Sequence, residues 1–332
     1  MPDIASLEQN SSADTVTSDR LALVVARREV VGTGVVHIEL RSPDGQALPP
    51  FEAGAHVDVH IRPDLVRQYS LCGDPADTSR YRLAVRLEAQ SRGGSAAIHS
   101  DLGEGDRLQI GSPRNQFPLA REASRAVLVA GGIGITPLMA MVHALDRAGI
   151  PFDLHYCVRS RNGAAFLDEL AAAPFAGHVA LHADDDAASH FNASVLPQAQ
   201  AGTHLYVCGP GPFMDARIAE AKAAGWAEDH LHLERFSNDV ECGGEVFTVT
   251  AARSGVTVTV AADETIAQAL TREGIDVALS CEQGVCGTCL VDVLDGVPDH
   301  RDCYLTDAEK AANRQMTICC SRARSASLTL DV

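Results

Sequence analysis

The sequence predicts a multidomain chain: an antiparallel β-barrel, then an α/β domain with a parallel sheet, then a small α+β domain. Short strands separated by Gly, Pro and Asp fill the first third of the chain. Apolar strands and helices alternate in the middle, and a hairpin with short helices accompanies a cysteine-rich loop at the end. The length of 332 residues agrees with two or three domains of roughly 100–200 residues each.

Composition and charge narrow the class of protein. Apolar residues make up 46% and charged residues 21%, as in globular proteins. The net charge of −17 argues against nucleic acid or an anionic membrane as partner, because both require a basic face. No apolar run approaches the ~18 residues of a membrane helix, and the first residues lack the pattern of a signal peptide. We therefore expect a cytoplasmic protein.

The first domain is predicted over residues 21–122, after a polar segment, 1–20, in which we expect a disordered tail. Its strands are short apolar or alternating runs: LALVVARREVV, VVHIEL, HVDVHI, YRLAVRLE and DRLQI. Several short strands joined by turn signals are typical of an antiparallel barrel or sandwich, and we expect the barrel.

The second domain is predicted over residues 123–236, where the strand pattern becomes continuous. AVLVAGG, FDLHYCV, HVALHA and THLYVCG are separated by helix-like or loop segments, and HLHLERF closes the domain. Fully apolar strands of this kind indicate a parallel sheet covered on both faces. Such a sheet places ligands at the carboxyl ends of its strands.

A small polar segment, 237–245, is predicted to be a linker, and residues 246–332 form the third domain. The third domain opens with a hairpin that turns at Ser254 and Gly255. Asp263 is expected to cap its first helix, and Thr306 with Glu309 predicts a capping box for the second.

Cysteines cluster in the third domain, and disulfides explain them poorly in a reducing cytosol. Cys281-x₄-Cys286-x₂-Cys289, with a further thiol 30 positions later, is the plant-type spacing of a [2Fe–2S] cluster. Spacing alone leaves Cys319 and Cys320 as alternatives for the fourth ligand. A zinc site is the competing interpretation, but structural zinc usually takes paired C-x₂-C or histidine ligands.

Two short motifs in the barrel domain point to a flavin site. RQYSL lies at the start of a predicted strand, and RGGS leads into a predicted helix. A helix N-terminus opened by glycines offers backbone N–H groups to a phosphate, and a tyrosine can shield a flavin ring. The alternatives are a core tyrosine and a plain turn. The candidate binding residues are Arg67, Gln68, Tyr69, Ser70, Leu71, Arg92, Gly93, Gly94 and Ser95.

Two glycine-rich turns in the second domain indicate a nicotinamide nucleotide site. GGIGITP follows the first parallel strand, and CGPGP ends a later one, so both lie at one edge of the sheet. Arg159, after the second strand, leaves NADPH open beside NADH, because an arginine there can accept a 2′-phosphate. The candidate residues are Gly131, Gly132, Gly134, Thr136, Pro137, Arg159, Cys208, Gly209 and Pro210. Cys208 is either catalytic or simply a small thiol beside the nicotinamide.

The motifs RQYSL, RGGS, GGIGITP, CGPGPFM, ERF, CEQGVCGTC, PDHRD and CCSRARS occur in this order along residues 21–332. Together they resemble the phthalate dioxygenase reductase family, the FMN- and [2Fe–2S]-containing reductases of Rieske-type oxygenases. The resemblance implies a C-terminal plant-type ferredoxin (β-grasp) domain. It also implies an electron path from NADH to FMN, then to the cluster, then to an oxygenase partner.

The resemblance also implies roles for individual residues. It places FMN at Arg67, Tyr69, Ser70, Gly94 and Ser95, and NADH at Gly132, Thr136, Cys208 and Gly209. It places Phe236, the last residue of ERF, near the flavin ring as a catalytic candidate. It makes Cys319 the fourth cluster ligand, after Cys281, Cys286 and Cys289, although a second cysteine follows it directly.

Other functions are compatible with parts of this pattern. The reductase could serve a different acceptor, such as an amine monooxygenase. A non-catalytic redox-sensing protein could keep the same folds, but we would expect it to lose RQYSL or GGIGITP. A zinc-stabilised dehydrogenase would be colourless.

Overall fold

The computed structural model describes residues 20–63, 65–89, 93–238 and 243–332. These residues form three main sheets, each with its own hydrophobic core, in the order that the sequence predicts. Within the described ranges, the longest helix has 14 residues, and none of the helices has the length and apolarity needed to cross a bilayer.

The first sheet is antiparallel throughout, with strand order β4-β3-β6-β1-β2-β5 and β7 paired with β3. Beyond β4, the N–H of Cys72 donates to the carbonyl of Arg82 on β5 at 2.9 Å, so the two ends of the sheet approach each other as in a barrel. The elements are β1 (Arg20–Gly32), β2 (Val35–Arg41), β3 (Ala55–Arg62), β4 (Leu65–Ser70), β5 (Tyr81–Arg86), helix α1 (Gly94–Asp101), β6 (Arg107–Gly111) and β7 (Arg114–Asn115).

The second sheet has five parallel strands in the order β10-β9-β8-β11-β12, as the continuous apolar runs predict. Its central strands are buried on both faces because helices cover the sheet. The elements are β8 (Arg125–Gly131), α2 (Ile135–Ala148), β9 (Phe152–Val158), α3 (Leu167–Ala172), β10 (Val179–Ala183), β11 (Thr203–Cys208), α4 (Gly211–Ala223) and β12 (Leu231–Glu234).

The third sheet mixes directions in the order β14-β13-β19-β15-β17, with the first and last strands of the domain, β13 and β19, paired in parallel. The elements are β13 (Phe247–Ala251), β14 (Val256–Val260), α5 (Ile266–Arg272), β15 (Leu290–Asp295), β16 (Pro298–Asp299), α6 (Asp307–Ala312), β17 (Gln315–Thr317), β18 (Arg322–Ala323) and β19 (Ser327–Leu330). The predicted hairpin is confirmed: β13 and β14 turn through Gly255, at a φ of +71°.

One of the two helix caps expected in this domain is wrong. The cap of α5 is Thr265 and not Asp263, because the Thr265 hydroxyl accepts from the Gln268 N–H and the Gln268 side chain accepts from the Thr265 N–H. This reciprocal pair satisfies two N-terminal donors, whereas a lone aspartate satisfies one. The capping box of Thr306 and Glu309 on α6 is confirmed.

Candidate functional site

A cavity lies where the three sheets meet. The barrel, the end of the parallel sheet and the cysteine-rich loop all contribute side chains to its wall. Its lining residues are His56, Gln68, Ser70, Gln116, Leu233, Glu234, Arg235, Phe236, Val285, Cys303 and Tyr304. A group bound in this cavity would therefore lie within reach of the RQYSL motif, of the end of the parallel sheet and of the cysteine-rich loop.

The RQYSL motif occupies the second half of β4 and the residue after it, not the start of the strand as expected. The reason is that β4 begins at Leu65, with its register fixed by pairing with β3. Gln68 and Ser70 border the cavity, and Leu71 is fully buried in the barrel core. Burial raises the pKa of the Tyr69 hydroxyl to about 12, so this side chain stays neutral.

The predicted phosphate site brings the two barrel motifs into contact. Gly93 has a φ of +89° and precedes α1, and a Cβ on Gly94 would lie only 2.5 Å from Cγ of Arg67. Arg67 therefore packs directly against the first turn of α1. The Ser95 hydroxyl accepts from the backbone N–H of Glu88 at 3.1 Å. Arg92 lies outside the described residues.

Three groups near the cavity form a chain between the nucleotide domain and the flavin strand. Cys208 and Glu234 lie side by side on β11 and β12, and the Ser70 hydroxyl is 3.5 Å from Oε2 of Glu234. Burial raises the pKa of Glu234 to about 8 and the pKa of Cys208 well above its usual value. Both groups therefore hold their protons near neutral pH, and Cys208 is a thiol rather than a thiolate nucleophile.

His56 tests whether the cavity fits a flavin ring. It lies opposite Ser70 in the β3–β4 ladder and is only 5% exposed. Burial lowers its pKa to about 4, so the ring is neutral, and Nε2 has no hydrogen-bond partner among the described residues. A buried polar atom is normally satisfied by a protein group, by an ordered water or by a bound ligand. The neutral, unpartnered imidazole and the polar side chains of Gln68, Ser70 and Gln116 in the same wall are compatible with a ring that carries hydrogen-bonding atoms, as the flavin ring does.

The glycine-rich turns meet where the order of the parallel sheet reverses, between β8 and β11. A Cβ on Gly134 would lie 2.2 Å from the carbonyl oxygen of Cys208, and a Cβ on Gly209 would lie 2.9 Å from Cα of Gly131. These glycines let the turn before α2 pack against the end of β11. The result is a crevice at the carboxyl edge, where open α/β sheets bind dinucleotides.

The remaining nucleotide candidates lie along the same edge. Gly132 begins the turn before α2 at a φ of +54°, and Thr136 and Pro137 are buried in the first turn of the helix. The Thr136 hydroxyl donates to the carbonyl of Ile133 at 3.0 Å. Pro210 precedes α4 directly. Arg159 follows β9 and is exposed to solvent.

Four buried cysteines of the third domain contact one another. Cys281 hydrogen-bonds with Cys286 and Cys319, and Cys289 hydrogen-bonds with Cys319. These contacts lower the pKa of Cys281 and raise the pKa of Cys286 and of Cys319, so Cys281 gives up its proton before those two partners. Three ligands from one loop and one from the segment after β17 fit a [2Fe–2S] cluster.

The geometry of the loop distinguishes Cys319 from Cys320. Gly284 and Gly287 both have a φ of +69°, and a Cβ on Gly284 would lie 2.4 Å from Sγ of Cys320. The Cys320 sulfur also lies 3.2 Å from the Thr317 hydroxyl. Cys320 thus fills space beneath the loop, whereas Cys319 reaches the loop cysteines.

Sequence reasoning did not select several residues that line the cavity. Glu234 could have been selected from the sequence, because it stands two residues before Phe236 in the ERF motif. No sequence motif identifies three others, which are His56, Gln116 and Tyr304. They come from separate strands and loops, and only the packing of the domains brings them together.

Comparison with known protein families identifies two parts of the chain. Residues 249–324 match the family described as a 2Fe-2S iron-sulfur cluster binding domain. Residues 112–231 match the N-terminal domain of proteins like the dimethylamine monooxygenase subunit DmmA.

Curated relatives span nearly the whole chain. Vanillate O-demethylase oxidoreductase of Pseudomonas sp. strain HR199 is 47% identical over 316 residues, which cover 94% of this chain and all of the relative. Phenoxybenzoate dioxygenase subunit beta of Ectopseudomonas oleovorans is 46% identical over 299 residues, covering 90% of this chain and 93% of the relative.

Two solved structures are similar to this chain over nearly its whole length. One is phthalate dioxygenase reductase, described as a modular structure for electron transfer from pyridine nucleotides to [2Fe–2S]. It is 37% identical to this chain, and the match covers 94% of this chain and 98% of that protein with a TM-score of 0.74. An intact type IV self-sufficient cytochrome P450 monooxygenase is 42% identical with a TM-score of 0.82 over 94% of this chain, which spans 41% of that longer protein. Because these similarities extend through all three domains, the chain belongs to the phthalate dioxygenase reductase family, which also contains the vanillate O-demethylase oxidoreductases that it resembles.

Proposed function

We propose that this protein is an NADH-dependent reductase that passes electrons through FMN and a [2Fe–2S] cluster to a Rieske-type aromatic oxygenase. The observation that carries the proposal is the cavity shared by the flavin strand, the nucleotide domain and the cluster loop. A flavin held here would supply the chemistry that joins a two-electron hydride donor to a one-electron cluster, because it can hold one or two electrons. The division at residues 21–122, 123–236 and 246–332 gives each carrier its own domain.

The residues around the cavity bind and orient the carriers. Arg67, which packs on the start of α1, would hold the FMN phosphate there, and Gln68 and Ser70, which line the cavity, would border the ring. Tyr69, between them on β4, is proposed to shield the ring. Neutral Cys208 and Glu234 keep an unpaired negative charge away from the place where the nicotinamide meets the flavin. Phe236 is 38% exposed at the same cavity, so it covers the ring and can be displaced.

A spectroscopic experiment tests the first half of the path. Purified protein should be yellow-brown, contain FMN, two irons and labile sulfide, and be bleached rapidly by NADH. Titration with NADPH tests the contribution of Arg159, and we expect NADH to be the better donor. A protein that contains zinc, or that stays oxidised with excess NADH and NADPH, would contradict the proposal.

The fourth cluster ligand is proposed to be Cys319. Cys319→Ser should lose the visible absorbance of the cluster and keep NADH-dependent bleaching of the flavin, as should Cys281→Ser. Cys320→Ser should keep both, because its sulfur packs beneath the loop against Gly284. If Cys320→Ser lost the cluster and Cys319→Ser kept it, the fourth ligand would be Cys320.

The acceptor is proposed to be a vanillate O-demethylase oxygenase in the cytoplasm, where NADH is available. The 47% identity to a vanillate O-demethylase oxidoreductase supports this assignment. The 46% identity to phenoxybenzoate dioxygenase subunit beta favours, as a second candidate, another aromatic oxygenase. Reconstitution with each oxygenase and its aromatic substrate decides between them: product should form with the vanillate enzyme and at least several-fold more slowly with the other.

A further inference from the structure

Two hydrogen bonds connect the barrel to the cluster loop. The Ser280 hydroxyl donates to Oδ1 of Asp58 at 2.8 Å, and Nε2 of Gln116 donates to the carbonyl of Cys286 at 2.7 Å. Ser280 directly precedes the cluster ligand Cys281 and is 4% exposed. Both bonds therefore end at, or next to, a residue that holds the cluster.

The carboxylate of Asp58 is also bonded to the flavin strand. Gln68 lies directly opposite Asp58 in the β3–β4 ladder, and its Nε2 donates to Oδ1 at 3.2 Å. Nη2 of Arg114 donates to the same carboxylate at 2.8 Å. Three donors thus converge on a side chain that is only 14% exposed, and two of them belong to the segments that hold the two electron carriers.

The chemistry of this junction favours a carboxylate, because one of its three donors is the guanidinium of Arg114. An ionised carboxylate only accepts hydrogen bonds and has two oxygens with about four lone-pair sites, so it can serve all three donors at once. All three donors end on Oδ1, and Nη2 of Arg114 also lies 2.8 Å from Oδ2. An amide would keep one accepting oxygen, but it would lose the negative charge and turn an NH₂ group toward Arg114. Hydrogen bonds to a charged group are also shorter and stronger than neutral ones, which makes the contact suitable for fixing a geometry.

We propose that Asp58 and Ser280 form a dock that holds the cluster loop at a fixed position against the flavin strand and thereby sets the rate of electron transfer from flavin to cluster. The inference rests on the proposed function and assigns Asp58 and Ser280 as positioning residues, since neither borders the cavity. Electron transfer slows steeply as two carriers separate, so a loop that leaves the barrel stops accepting electrons although both carriers stay bound.

Ser280→Ala is the first test, because it removes the contact with Asp58 and leaves the second contact, between Gln116 and the carbonyl of Cys286, in place. Rapid-mixing absorbance spectroscopy with NADH should show flavin reduction within twofold of the original protein. Cluster reduction should be roughly tenfold slower, since loss of one hydrogen bond to a charged group shifts a docked equilibrium by about that factor. Ser280→Thr keeps the hydroxyl and should restore the rate.

Hydrogen–deuterium exchange provides a readout independent of activity. Peptides covering residues 278–290 and β4 should exchange faster in Ser280→Ala and in Asp58→Asn, while the parallel sheet is unchanged. Asp331→Asn is the matched control: it removes a carboxylate that pairs with Arg253 in the third domain, on an exposed surface. This control should match the original protein in both experiments.

Two results would overturn the dock. One is cluster reduction at the original rate in both Ser280→Ala and Asp58→Asn, and the other is exchange unchanged in the loop of either variant. Failure of the proposed function is distinguishable, because it would appear in the unsubstituted protein as absence of FMN or iron, or as flavin that NADH does not reduce.

Discussion

Glu234 shows how much the surroundings of one residue change its chemistry. It ends β12 beside Cys208 and faces the Ser70 hydroxyl of the barrel. Burial raises its pKa to about 8, because the ionised form loses its hydration there. At neutral pH this carboxyl is therefore a neutral hydrogen-bonding group in the wall of the cavity.

This pKa predicts a pH dependence of stability. Between the ordinary pKa near 4.5 and about 8, the folded protein holds the Glu234 proton and the unfolded chain releases it. The folded state thus binds more protons, and stability falls as pH rises through this window, by at most about 1.4 kcal/mol per pH unit. The variant Glu234→Gln has no carboxyl at this position, so its stability should not fall with pH for this reason.

Thermal unfolding of the cofactor-loaded proteins from pH 5.5 to 8.5 measures the effect. The melting temperature of the original protein should fall relative to that of Glu234→Gln as pH increases. Glu228→Gln, at a surface carboxyl whose pKa is lowered by Lys222, should show no such trend. A constant difference between the original protein and Glu234→Gln would contradict the assignment of the raised pKa.

The turn before α2 shows how a short segment depends on the strand against which it packs. Gly134 has a φ of −62°, which any residue adopts, so conformational freedom does not explain the glycine there. The reason is space: a Cβ would lie 2.2 Å from the carbonyl oxygen of Cys208. The helix and the end of β11 approach so closely that only a hydrogen fits between them.

Gly134→Ala should therefore separate α2 from β11. We expect a loss of about 1–3 kcal/mol of stability, as for other overpacked sites, and a several-fold higher KM for NADH. Denaturant unfolding and steady-state kinetics with ferricyanide as acceptor measure the two effects. Gly177→Ala is the control, since a Cβ there meets nothing within 4 Å; equal behaviour of the two variants would refute the packing argument.

The barrel and the nucleotide domain are joined by a polar network rather than by apolar contact alone. Arg82 on β5 binds Glu169 on α3 through two hydrogen bonds of 2.8 and 2.6 Å, and Nε of Arg82 donates to Nε2 of His37 at 3.0 Å. Arg82 is 15% exposed in its side chain. The pair joins the barrel to the nucleotide domain at a place where neither side chain lines the cavity.

Glu169→Gln should weaken this interface. We expect a loss of about 2 kcal/mol, between the value for exposed pairs and that for fully buried ones, because it leaves Arg82 without its carboxylate. Calorimetric unfolding should show the loss, together with weaker FMN binding by fluorescence titration. Lys222→Gln, which breaks the exposed pair with Glu228, should change stability by less than about 0.5 kcal/mol; a similar loss in both variants would contradict the role of the network.

The sequence by itself determined the features that depend on near neighbours in the chain. Alternating and continuous apolar runs predicted the two kinds of sheet, Thr306 and Glu309 predicted a helix cap, and the Cys281-x₄-Cys286-x₂-Cys289 spacing predicted the cluster loop. Each of these patterns spans a few residues, so local geometry decides it. Even so, the prediction for the cap of α5 was wrong, because Thr265 together with Gln268 satisfies two N–H groups at the helix start and Asp263 would satisfy one.

Only the tertiary structure decided which distant residues meet. Asp58 contacts Ser280 across 222 positions of the chain, and Gln116 contacts Cys286 across 170. No periodicity or spacing encodes such pairs, because they form when three separately folded sheets pack together. The same packing buries His56 and Glu234 and shifts their pKa values, since burial is a property of the assembled fold and not of the residues beside them in the sequence.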